Sequence, residues 1–137
     1  MRKTTKRAAL GAAFALFACF AGMLSAQDGG FRFDGPLGRL ITPNGDTRND
    51  EFFLCFGNPS DSEVETRIFT IWGSEVARVS RIRHINNTSC PALNSGAGAQ
   101  HARWDGRSSG SVVKSGVYVY QVKAEGRTYT GTLLVVR

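Results

Sequence analysis

The chain has 137 residues, 42% of them hydrophobic, with a formal charge of +6 and a sequence pI near 9.7. That length suits one domain. The basic balance makes no case for nucleic acid: four of the 17 basic residues sit in the first seven positions, and the rest of the chain is close to neutral with its arginines scattered.

The N-terminus reads MRKTTKR, then AALGAAFALFACFAGMLSA, then QDGG. A basic start, an apolar middle and small residues before Gln27 match the plan of a secretory signal peptide over residues 1–26. An uncleaved anchor is the alternative, because Ala8 to Leu24 is close to spanning length. A lipidated Cys19 is the lesser alternative, since Phe17 is bulky for an acylation box and the chain stays apolar past Cys19. Beyond cleavage, residues 27–38 read as a linker and 39–137 as the domain. Export places the two remaining cysteines, Cys55 and Cys90, in an oxidising compartment, where an even pair predicts one disulfide. A loop of that length would contribute about 3–4 kcal/mol through chain entropy.

No stretch of the domain has helical periodicity. EFFLCF (51–56) predicts a strand. EVETRIFTIW (63–72) predicts another, setting Ile68, Thr70 and Trp72 against Phe69 and Ile71. Trp72-Gly73-Ser74 turns the chain, and EVARVSRIR (75–83) returns. GVYVYQVKA (116–124) and TYTGTLLVVR (128–137) predict a hairpin around EGR. Val117 and Val119 oppose Tyr118, Tyr120 and Val122, and Leu133 and Val135 oppose Leu134 and Val136, so both faces of this hairpin are apolar. Short strands at this spacing predict an all-β antiparallel sandwich of about seven strands. The last strand is expected at or near a sheet edge, where 128–137 could pair with another copy. Residues 84–101, rich in Asn, Ser, Gly and Ala, read as one long loop with Cys90 inside it; Asn86 and Asn87 there offer glycosylation acceptors.

ITPNGDTRND (41–50) holds the densest turn chemistry. Pro43 fixes φ, Gly45 permits positive φ, and the side chains of Asn44, Asp46, Asn49 and Asp50 can cap local backbone. The competing reading is a calcium loop on Asn44, Asp46 and Asp50. Against it, Arg48 stands where a third oxygen ligand would, and no glutamate closes the far end. Asp46 and Asp50 as paired catalytic acids lack an apolar pocket. No nucleophile elbow or phosphate loop occurs, and His84, His101 and Cys90 match no zinc spacing, so no enzyme is expected. Trp104 before Asp105-Gly106 predicts a buried ring next to a turn; a glycan platform of Trp104, Tyr118 and Tyr120 is the less common arrangement.

Four blocks in order, ITPNGDTRNDEF, RIFTIWGSEVARV, WDG and SGVYVYQVKAEGRTYTGTLLVVR, resemble the gliding-motility-associated C-terminal domain of Bacteroidota. That family is the Ig-like type B sorting domain of the type IX secretion system, related in architecture to the flagellar-hook-capping Ig-like domain. The resemblance spans nearly all of 39–137. Its turn motif falls on Pro43, Asn44, Gly45, Asp46, Asn49 and Asp50, and its other marks on Trp72, Gly73, Trp104, Gly106, Gly116, Tyr118, Tyr120 and Gly131. The family pattern carries glycine where this chain has Thr47. The resemblance implies export in two steps, with outer-membrane secretion machinery reading the domain, and a surface or extracellular destination. A self-associating subunit or adhesin, and a small calcium- or glycan-binding module, are the alternatives.

Overall fold

A computed structural model describes residues 30–83, 90 and 98–137. The expected signal peptide, Cys19, His84, Asn86 and Asn87 lie outside the described residues. Eleven strands occur among the described residues: β1 (Arg32–Pro36), β2 (Leu40–Ile41), β3 (Phe52–Gly57), β4 (Val64–Thr70), β5 (Glu75–Val79), β6 (Arg81–Arg83), β7 (Ala99–Trp104), β8 (Arg107–Ser108), β9 (Ser111–Val112), β10 (Gly116–Ala124) and β11 (Arg127–Val135).

One sheet runs β1-β3-β7-β6 and a second runs β2-β11-β10-β4-β5, with β8 and β9 forming a small separate ribbon. The first order corresponds to strands A, B, E and D of an immunoglobulin domain. The second corresponds to G, F, C and C′, with the short β2 beside G. The architecture is therefore an Ig-like β-sandwich. Every main ladder is antiparallel, except that β2 runs parallel to β11. Alternation along the strands aims Phe52, Leu54 and Phe56 of one sheet at Ile68, Tyr118, Tyr120, Val122, Leu133 and Val135 of the other.

Three expectations about elements change. Residues 32–36, read as linker, form β1, and Phe31 before them is buried against Phe56 and Tyr129. Phe31 and Phe33 supply aromatic surface that the core lacks without them. Residues 75–83, read as one strand, divide at Ser80: Val79 pairs with Thr66 in the second sheet and Arg81 with Ala102 in the first. The chain crosses between layers there. Residues 99–101, read as the end of the long loop, open β7.

The disulfide between Cys55 and Cys90 is present, with Cα atoms 5.9 Å apart. Cys55 alternates with the core-facing Leu54 and Phe56, so it lies on the outer face of the first sheet. It is nevertheless buried, as is His101, its partner in the ladder, which meets Phe53 edge-on at 5.4 Å. The bridge thus holds Cys90 over that face. It does not span the two layers as an antibody-type bridge does.

Candidate functional site

Most of the motif residues collect at one end of the sandwich. This is the end where β10 begins and β11 finishes. Here β2 turns into β3, β4 turns into β5, and β7 leads through the ribbon to β10.

The turn after β2 is closed by its own side chains. The Asp50 carboxylate accepts N–H bonds from Asn44 (3.0 Å), Gly45 (2.7 Å) and Thr47 (2.7 Å). Asn44 Oδ1 accepts from the Asp46 amide at 3.0 Å, and Asp46 Oδ1 from the Arg48 amide at 2.8 Å. Thr42 N–H donates to Asn49 O at 2.7 Å and closes the base. The backbone N–H groups of residues 44 to 48 are therefore all matched with oxygens. The bond from Gly45, with those of Thr47 and Asn44, holds the Asp50 carboxyl below its ordinary value of 3.8, because each donor favours the charged form. Asn44, Asp46 and Asp50 do come together, each with a side-chain oxygen directed at backbone amides. No group of three His, Cys, Asp or Glu suited to a metal occurs among the described residues.

This turn packs on the Trp104 turn. A Cβ placed on Gly106, whose φ is 71°, would lie 3.0 Å from Pro43 Cγ and 3.2 Å from Ile41 Cδ1. Only glycine accommodates both the positive φ and the approach of Pro43. Trp104 is buried, donates Nε1–H to Arg107 O at 2.8 Å, and meets the Tyr118 ring at 61° and 5.8 Å. Tyr118 donates its hydroxyl to Lys114 O at 2.7 Å, the arrangement of the tyrosine corner at the start of strand F in Ig domains. Tyr120 covers Gly131, its ladder partner, so closely that a Cβ there would overlap the phenol. Trp104, Tyr118 and Tyr120 are all core residues. A glycan would need an open aromatic face, which none of the three offers.

Trp72 departs from the expected structural role. The bonds from Gly73 N–H to Thr70 O (3.0 Å) and from Thr70 N–H to Ser74 O (2.9 Å) define a three-residue hairpin loop. Such loops need a left-handed residue in last place, and Gly73 supplies it at φ 85°. Trp72 therefore stands at the tip of the loop, 86% exposed, beside exposed Ile71. Sequence reasoning missed these two as surface residues because it continued the strand alternation two positions too far. The expected edge at 128–137 is partly covered: β2 pairs with Leu134 and Val135 of β11.

Fold and site together define an immunoglobulin-like module whose marked residues gather at one end. The chain belongs to the family described as CHU_C, type IX secretion signal domain, which matches residues 36–135. The match begins at the last residue of β1 and so leaves out Phe31 and Phe33, which the fold includes. No curated protein sequence matches the chain. Among solved structures, it is similar to a chain in the crystal structure of Dpr1 IG1 bound to DIP-eta IG1. That likeness has 16% identity, covers 77% of this chain and 95% of the other, and has a TM-score of 0.35.

Proposed function

We propose that this chain is a non-catalytic sorting module, recognised as a folded unit by outer-membrane secretion machinery and delivered to the cell surface or the medium. Passage across the inner membrane depends on the N-terminal signal peptide. The family match across residues 36–135 carries this reading. The convergence of the Pro43, Trp104 and Tyr118 turns at one end supports it, because a folded signal needs a shaped and rigid face. The test places residues 27–137 behind a periplasmic reporter in a bacterium with a type IX system. The reporter is expected at the surface or in the medium, and a reporter that stays in the periplasm refutes the proposal.

A second reading is a self-associating subunit or adhesin. What favours it is the reach of β2, which pairs only with Leu134 and Val135; no strand pairs with that side of β11 from Arg127 to Leu133 among the described residues. An exposed edge of that kind can take up another strand. Sedimentation at rising concentration tests it, and a strict monomer removes it. Calcium binding at Asn44, Asp46 and Asp50 is the weakest reading, since a cation would compete with amide donors for Asp50. An unchanged melting temperature in millimolar calcium is the expected result.

A further inference from the structure

Six of the seven large hydrophobic side chains exposed among the described residues fall on one strip. Leu40 pairs with Leu134, and Leu134 with Val117, so three outward side chains line up across β2, β11 and β10. Ile71 follows Thr70, the partner of Tyr118, and so continues the line beside Val117. Trp72 caps the line at the hairpin tip. Val136, two residues after Leu134, extends it toward the chain end. Half-buried Val119 and Phe69, themselves ladder partners, back the strip on the same face. Single exposed hydrophobics are ordinary, whereas a contiguous row with a tryptophan at its end marks a contact surface.

Two observations identify what covers it. The described chain enters at the opposite end, where Phe31 N–H donates to Glu125 Oε2 at 2.8 Å in the turn between β10 and β11. Gly30 and Phe31, the first described residues, therefore lie at the end of the sandwich away from the strip. The charge at its margin is mixed: Asp50 lines the hollow beside Leu40 with its oxygens taken by backbone amides, while the Val136 end carries basic side chains. Lys114 and Arg137 are exposed and form no ion pair among the described residues, while Asp105 and Glu51 nearby are matched by Arg107 and Arg103.

We infer that the strip Leu40–Leu134–Val117–Ile71, anchored by Trp72, is the surface by which a protein of the secretion apparatus holds this domain. That partner presents an apolar patch with acidic residues at its edge. The inference rests on the sorting reading and names its contact face. Trp72 supplies most of the binding, as a large ring with little conformational entropy to lose, and Lys114 and Arg137 orient the encounter.

The test expresses the full chain in a type IX-competent bacterium and measures its surface or medium fraction. Two double variants are compared with wild type: Ile71→Ser with Trp72→Ala, and Val117→Thr with Leu134→Ser. A third, Lys123→Ser with Thr128→Ala, alters the same face away from the strip. The first two are expected to lose about tenfold or more of the exported fraction. Their periplasmic protein should keep the wild-type melting temperature and the disulfide, and the third variant should export normally. If one strip variant fails to fold, the other decides. Normal export of folded strip variants overturns the inference and leaves the sorting reading intact. Wild type that never leaves the periplasm overturns both. Purified wild type that binds phosphatidylglycerol–phosphatidylethanolamine vesicles through Trp72 makes the strip a membrane contact, and dimerisation lost in Trp72→Ala makes it a contact between copies. Either result also overturns the inference.

Discussion

Thr47 holds a φ of 68°, a conformation that a β-branched side chain adopts only under strain. The bond from its amide to Asp50 keeps it there. Thr47→Gly removes the Cβ conflict and is expected to stabilise the domain by about 1 kcal/mol, read as a higher urea midpoint. Asp50 is expected to govern acid sensitivity. Its folded carboxyl lies below 3.8, and Glu125 lies below 4.5 because the Ser62 hydroxyl and Phe31 N–H donate to it. The unfolded chain then binds more protons than the folded one in the acid range. The stability from these groups is complete above their ordinary values and is lost as pH falls through the depressed folded values. Asp50→Ala should lower the melting temperature at neutral pH and flatten the decline on acidification, and denaturation at a series of pH values checks both. Gly131→Ala drives a methyl into Tyr120 and should cost about 1–3 kcal/mol. The Pro-Asn-Gly turn was legible because its residue types have fixed backbone preferences. The strain at Thr47 shows only through the glycine that the family pattern carries there, because a threonine by itself does not announce a positive φ.

Among the elements, β10 and β11 were read with both faces correctly opposed, since a nine-residue alternation leaves little choice of period. β1 was missed because RFDGP holds a single large apolar residue with Gly35 and Pro36 behind it, and its pairing slips between Phe33 and Gly35. The division at Ser80 was missed for a different reason: its only trace is a slip of apolar phase between Val79 and Ile82, in a run otherwise free of turn residues. The hairpin β10–β11 also limits what deletion can reveal. Removing Thr128–Arg137 would take Leu133 and Val135 out of the core and strip one side of β10. The expected result is a protein that does not fold, seen as lost resistance to protease, so surface substitutions are the informative experiments. The disulfide is a separable element. Reduction, or Cys55→Ser with Cys90→Ser, should lower stability by about 3–4 kcal/mol while β3 and β7 remain paired. Hydrogen exchange on those strands, before and after reduction, provides the check.

At the scale of the molecule, the sandwich class was legible from strand spacing and turn residues. The layer order was not, because it depends on which strands cross between sheets. That order is what separates the two ends. One end holds Phe31 beside Glu125; the other gathers the Pro43, Trp72 and Trp104 turns and the exposed strip. The most direct measurement tracks the native protein in a type IX-competent strain and in an otherwise identical strain lacking the type IX outer-membrane channel. The account predicts surface or extracellular protein in the first strain, and folded, disulfide-bonded protein accumulating in the periplasm of the second. The same distribution in both strains would contradict it.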